Sequence, residues 1–359
     1  MFIFIGILAF GLLIAIHELG HFVAAKLLDI RVNEFAIGMG PKLISKQGKE
    51  TLYSLRALPF GGFCSMAEDE LIDDDAEIDP RAFNAKARWK RVVVLLSGGF
   101  ANLVAAFIIV LIITSGADGF GGTTIAHLLD DFPNKGADGL MVGDTIVSIN
   151  GERLFYSEDF LIFMDLNEHV GVTHVDLVIR RGDERISLNN FPLYRREFII
   201  NGQPHFRFGI SFNSIEATPF EVVRHSFYST FNNIRLIRVS LVMLISGPFG
   251  VRDMGGPVAI VDAMNTIGQQ APTFTQALTR IASFTAFIGV NLAVVNLLPI
   301  PALDGGRILL IIISWVVEKI TRRKLDPKYE AYINSGTFIL LLGFIVFILI
   351  NDVLRIVHG

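Results

Sequence analysis

With 359 residues, 52% of them hydrophobic, 30 Phe and a positive mean hydropathy, the chain has the composition of a membrane protein with room for several domains. A formal net charge of -4 denies nucleic acid the basic face it needs, so no nucleic-acid partner is expected. Cys64 is the single cysteine, which excludes an intrachain disulfide and leaves the redox compartment unread.

The first predicted element is an apolar run from about Phe2 to Leu28, long enough to span a bilayer with some tilt. It does not read as a cleaved signal peptide, because it lacks a basic start and a cut after it would discard His17 and His21. Inside it stands His17-Glu18-Leu19-Gly20-His21. Two His at i and i+4 lie about 40° apart on one helical face, so both imidazoles can bind one ion. Glu18 follows the first of them and can reach a metal-held water as general base. Three ionisable groups at membrane depth are costly, and such a cluster is by default a functional site. The pattern is a metalloprotease signature set in a would-be transmembrane helix. The plain alternative, a satisfied His pair on a soluble helix, does not suit the apolar flanks.

Residues 42–63 read as a β-hairpin, with Leu43–Gln47 and Thr51–Leu55 flanking Gly48-Lys49-Glu50, and Pro59 and Gly61-Gly62 ending it. Glu68–Asp79 holds eight carboxylates and reads as a solvated loop. A second span covers Val92–Ser115 and contains Ser97-Gly98-Gly99-Phe100-Ala101-Asn102.

Residues 117–213 turn soluble in character, with short alternating strands and turns. Gly143-Asp144 and Asn150-Gly151 frame a β-branched strand, Thr145–Ile149. This run resembles the strand-turn core of a circularly permuted PDZ domain, with Phe208-Gly209-Ile210 as a candidate carboxylate-loop strand; another small β domain is the alternative. Residues 218–246 follow as an amphipathic helical pattern expected to lie on the outer membrane face and not to cross it. A third span runs from Ala277 through Leu303, with Val317 as its further limit, broken by Pro299 and Pro301, and a fourth covers Thr337–Leu354. Basic residues crowd the loops between the first two spans (Lys42, Lys46, Lys49, Lys86, Lys90 and Arg91 among them) and between the last two (Lys319, Arg322, Arg323 and Lys324). Both loops are therefore expected in the cytoplasm, with the long 116–276 segment outside and His17 and His21 nearer the cytoplasmic end.

Catalytic zinc usually takes three protein ligands and a water. The other His residues fall in predicted outer or terminal segments, which leaves Asp304 as the best third ligand, in the run from Asn291 to Gly306. A carboxylate in an apolar span needs a cation or hydrogen-bond donors to stay ionised, an ion held by His17 and His21 would serve, and the two prolines let it leave the helical track. Asp304-Gly305-Gly306 also resembles a helix start, and both roles can hold together.

His17–His21, the Asn-Leu-Leu-Pro-x-Pro-x-Leu-Asp-Gly-Gly run ending at Gly306 and a PDZ-like insert together resemble the site-2 protease family. The chain is most similar to the bacterial group acting on anti-sigma factors and remnant signal peptides. The resemblance covers nearly the whole chain. It implies a polytopic α-helical membrane protein: four transmembrane helices, a membrane-reentrant β-hairpin and an inserted α/β PDZ-like domain. The expected blocks are 1–115, 116–213, 214–276 and 277–359. It implies Zn²⁺ held by His17, His21 and Asp304, with Glu18 as general base and Asn291 and Asn296 holding the substrate backbone. It also implies single-span membrane substrates, added as a strand to the hairpin, and a home in the lipid bilayer of the inner (plasma) membrane. The family usually has a Gly-Pro pair before the asparagine of the second span; Ser97–Asn102 lacks it, which reads as a packing variation away from the ligands. Only one PDZ-like domain fits, where close relatives carry two. The rival functions are a catalytically silent scaffold binding tails through its PDZ-like domain and a metal transporter. Loss of a ligand or of Glu18 would favour the first; the second would need more polar residues along the spans.

Overall fold

The computed structural model describes residues 1–67, 79–130, 132, 134–169, 174–193, 195–200, 203–246, 256–300 and 303–322, with positions 336, 339 and 343. The expected fourth span and all of the acidic stretch but Asp79 lie outside these residues, apart from Ile339 and Gly343. Two compact units emerge, one of Met1–Ile113 with Asn233–Gly359 and the other of Thr114–Asn232.

In the first unit, three helices are long and apolar enough to cross a membrane: α1 (Phe2–Leu27), α2 (Arg88–Thr114) and α6 (Phe274–Asn296). α1 is apolar nearly all round. It leaves Phe4, Leu8, Leu12 and Val23 exposed, while His17 and His21 on another face are buried. A Schellman turn ends it: Asp29 takes φ +57°, and the Ile30 N–H bonds the Ala25 carbonyl at 2.8 Å. Ile30 and Val32 then pack with Ala25, Phe83, Leu95 and Ile311 in one buried cluster. α5 (Pro257–Gln269) lies against the start of α1, with Met264 and Val261 around Gly6. A second cluster joins Ala106 and Val110 of α2 to Ala286 and Val290 of α6 and to Ile237.

The hairpin is longer than its sequence suggests. β1 (Val32–Gln47) and β2 (Leu52–Met66) are antiparallel strands in which Gly61-Gly62 lies inside β2 and does not end it. The expected inner pairing is there, with Lys46 opposite Tyr53 and Ile44 opposite Leu55. Beyond it the chain doubles back, so Glu34 faces both Leu52 and Ser65, and Ala36 both Ser54 and Phe63. Gly38 and Gly40 at φ +84° and Gly61 at φ +91° supply the bends, a conformation that side chains with a Cβ resist. Residues 62–66 thereby become an edge, paired on one side with 32–37. The turn is pinned by charge. Glu50 bonds Lys26 (2.6 Å) and Arg81 (2.8 Å), and these two cations hold its carboxyl down at about 2.

The proline-bearing break falls at 297–303. α6 stops at Asn296, and α7 (Asp304–Thr321) begins with Asp304 in its first turn. Pro301 itself lies outside the described residues.

The second unit is an antiparallel sheet with strand order β10-β3-β4-β6-β7, formed by β3 (Gly119–Leu128), β4 (Thr145–Ile149), β6 (His174–Arg181), β7 (Glu184–Pro192) and β10 (Ile210–Glu216). β4 coincides with the expected strand. It turns through Asn150 (φ +48°) and Gly151 (φ +82°) into the short β5 (Glu152–Arg153), as an Asn-Gly hairpin should. α3 (Ser157–His169) buries Phe160 edge-on against Phe208 and Phe212. β8 (Arg196–Ile200) and β9 (Gln203–Arg207) form a separate hairpin. The unit reaches further than the expected 116–213 block, because the first half of α4 (Pro219–Ser246) packs on it. Phe120 stacks on His225 and Phe155 on Tyr228, each at 4.0 Å, and Tyr156 donates to Glu221. Phe220, Val223 and Phe227 remain exposed on the opposite side of this helix.

Candidate metal centre

α1 presents His17 and His21 one turn apart on its buried face, as helical periodicity requires. The His21 Nδ1–H donates to the Val94 carbonyl of α2 at 2.8 Å, which leaves the Nε2 of a neutral ring as a lone pair. That Nε2 lies 3.1 Å from His17 Nε2 and 3.2 Å from Asp304 Oδ2, and the third side, His17 to Asp304, is 3.1 Å. Tetrahedral ligands at zinc distances of about 2.0–2.1 Å would stand roughly 3.3–3.4 Å apart. The sides of the triangle correspond to a tetrahedral ligand distance of about 1.9–2.0 Å, within the roughly 0.2 Å tolerance of a metal site. Three electron-rich atoms converging on one buried point repel unless a cation joins them. The donor set of two imidazoles and one carboxylate is what zinc takes in catalytic sites.

Glu18 is held from a different direction. Its Oε2 accepts the Cys64 backbone N–H at 2.9 Å, on the edge segment of β2. The base candidate is thus fixed to the hairpin while sharing a helix with the two His.

α2 completes the floor in a way the sequence reading missed. A Cβ on Gly98 would sit 2.5 Å from His21 Nε2 and 2.7 Å from His17 Nε2, and one on Gly20 would sit 2.4 Å from the Ser97 carbonyl oxygen. The Ser97–Asn102 run therefore packs directly on both imidazoles, contrary to the expectation that it lies away from the ligands. The local signal was its pair of consecutive glycines; packing sets Gly98 against the His-bearing helix and Gly99 against Ala293 and Leu297.

These groups line a cavity of about 280 Å³, near the low end for ligand pockets. Ile14, Leu292 and Leu303 give it apolar walls, and Asn296 and Asn102 line it as well. Asn296 Nδ2 lies 3.3 Å from His17 Nε2. Asn291 does not line the cavity; five residues earlier on α6, it points about 140° away round the helix. Asn102, which sequence reasoning did not single out as a site residue, is fully buried there.

Comparison with known proteins agrees with this chemistry. The profile of Peptidase family M50 matches residues 5–344. A Clostridium acetobutylicum protein provisionally named a zinc metalloprotease is 36% identical over 352 residues, covering 98% of this chain and 97% of its own. A Fusobacterium nucleatum protein named in the same way is 31% identical over 358 residues, 98% of each chain. The regulator of sigma-W protease RasP of Bacillus subtilis is 26% identical over 427 residues, covering 98% of this chain and 97% of its own.

Proposed function

The chain belongs to Peptidase family M50, the site-2 protease family, and is a membrane-embedded zinc metalloprotease; from this we propose that it cuts single-span membrane proteins, anti-sigma factors and remnant signal peptides, at the His17–His21–Asp304 site. The observation that carries the assignment is the triangle of 3.1–3.2 Å between those three ligand atoms, with Glu18 beside it in one cavity. Zinc bound there supplies Lewis-acid activation of water and of the scissile carbonyl.

The chain's own residues do the rest. Glu18, anchored through Oε2 to Cys64, takes the proton of the attacking water and returns it to the leaving amine. Asn296, beside His17, donates to the substrate carbonyl at the cut. Asn291 holds a stretch of the substrate backbone outside this cavity. A transmembrane helix hides its carbonyls in its own hydrogen bonds, so the substrate must unwind first. The edge at residues 62–66 offers a strand to pair with, next to Glu18.

The proposed architecture has four spans, the last at Thr337–Leu354, with blocks 1–115, 116–213, 214–276 and 277–359, the 116–213 block carrying the first half of α4 packed on it. The insert is PDZ-like and extracytoplasmic, in keeping with the β4–β5 hairpin and the β10–β3 edge. The exposed Phe220, Val223 and Phe227 of α4 suit an interfacial helix. The membrane is the inner (plasma) membrane, with the site toward the cytoplasm, on the weight of the basic loops.

The test is cleavage of a tagged single-span substrate with a trimmed outer domain, by the parent and by Glu18→Gln, with zinc content measured in both. Product from the parent alone, lost with a zinc chelator, at equal zinc content, is expected. Equal product from both enzymes would put the silent scaffold, or a contaminating protease, in its place.

A further inference from the structure

We propose that Asn102 is a substrate-binding residue: its carboxamide holds one main-chain peptide group of the unwound substrate, so the cavity's working amides are Asn102 and Asn296. The proposal deepens the proteolytic assignment above and rests on it. Asn102 is 0% exposed, and among the described residues neither its Nδ2 nor its Oδ1 has a hydrogen-bond partner. Native proteins satisfy nearly all buried amides, so one left open calls for a reason. The usual reason for an asparagine in a membrane helix is a hydrogen bond to a neighbouring helix, and Asn102 makes none among the described residues. Its surroundings there are apolar, with Leu13 and Ala106 packed about Gly289 beside its backbone. Its side chain does line the cavity, together with His17, Glu18 and Asn296.

Position sets the ligand. Gly98 presents its Cβ-less side to the two ligand nitrogens, and Asn102 follows it by four residues on the same face of α2. The amide therefore stands about 6 Å along the helix axis from the ion site. An extended peptide advances about 3.3 Å per residue, so the group it meets lies about two residues from the cut bond. A primary amide offers a donor and an acceptor in one plane, and an extended residue presents a carbonyl and an N–H with the same complement. Using both halves of the amide at once takes a neutral group that donates and accepts side by side, which a backbone of any sequence provides.

The test uses the full-length zinc-loaded protein with Asn102→Leu and Asn102→Ala. It reads zinc content, melting temperature, and kcat and KM on a tagged single-span substrate. A second substrate series replaces one peptide bond at a time with an ester within three residues of the cut. Because Asn102 has no hydrogen-bond partner to lose among the described residues, Asn102→Leu should keep the parent's zinc content and melt no lower. Its kcat/KM should fall about tenfold to a hundredfold, the weight of one or two hydrogen bonds. One ester position should cost the parent activity and cost Asn102→Leu nothing further. The proposal is overturned if kcat/KM stays within about twofold, or if every ester costs both enzymes equally. It is also overturned if both variants lose folding or zinc, since Asn102 would then be a packing residue. A parent that cuts nothing would sink the proteolytic assignment and this proposal together, whereas a cutting parent with an unaffected variant sinks this one alone.

Discussion

Gly98→Ala is the smallest change that should disable the metal centre. The added Cβ would stand 2.5 Å from His21 Nε2 and 2.7 Å from His17 Nε2, where ordinary contact begins at 3.4 Å. Something must move by about 0.9 Å. His21 is tied to the Val94 carbonyl at 2.8 Å, so its ring cannot swing without losing that bond. α2 cannot retreat freely either, because Val94 and Leu95 are locked in the buried cluster with Ile30, Phe83 and Ile311, and Ala106 and Val110 in that with Ala286 and Val290. Overpacking of this kind costs about 1–3 kcal/mol. Metal ligands tolerate roughly 0.2 Å, so the displacement falls on the His pair. Zinc affinity should drop about tenfold to a hundredfold, or about 1.4–2.7 kcal/mol. Competition with a chromophoric chelator for zinc measures this, and Gly99→Ala, whose Cβ meets only contacts of 3.3–3.5 Å, is the control. Affinity in Gly98→Ala within about threefold of the parent, or an equal loss in Gly99→Ala, would refute the reasoning.

Other expected outcomes are independent of that one. Asp304→Asn keeps the helix start of α7 but removes the anionic ligand, so bound zinc measured by elemental analysis should be lost while helical circular dichroism is unchanged. Phe160→Ala removes a side chain packed between Phe208 and Phe212 and should cost the second unit about 3–5 kcal/mol, read as faster hydrogen exchange in β10, with zinc content intact. Glu50→Gln should loosen the β1–β2 turn by about 1 kcal/mol or less, read as faster exchange at residues 48–52. The sign with pH follows from a carboxyl held at about 2 against an ordinary 4.5: the parent keeps this contribution above pH 4.5 and loses it as pH falls toward 2. Glu50→Gln lacks it at every pH, so the two proteins should converge in acid. A gap that persists there would mean the ion pairs are not its source.

The sequence by itself determined whatever depends on local periodicity and turn chemistry. The i, i+4 spacing puts His17 and His21 on one face of any helix, Asn150-Gly151 makes a tight hairpin turn, and the proline run ends α6 before Asp304. Asp304 could be nominated from sequence because a carboxylate in an apolar stretch needs a cation, whatever the packing. The extent of the hairpin was not legible, since glycines that look like terminators serve as bends inside β1 and β2 once the strands fold back. Nor could sequence choose between Asn291, Asn296 and Asn102. Which asparagine enters the cavity depends on how α2 and α6 are rotated about their axes, and apolar faces all round leave that rotation open. Only tertiary packing decided it: Gly20 and Gly98 allow α1 and α2 to approach so closely that one face alone of α2 fits against the His pair. Contacts 73 to 287 residues apart in sequence have no local signature, because their energy comes from surfaces that exist only once the helices have met.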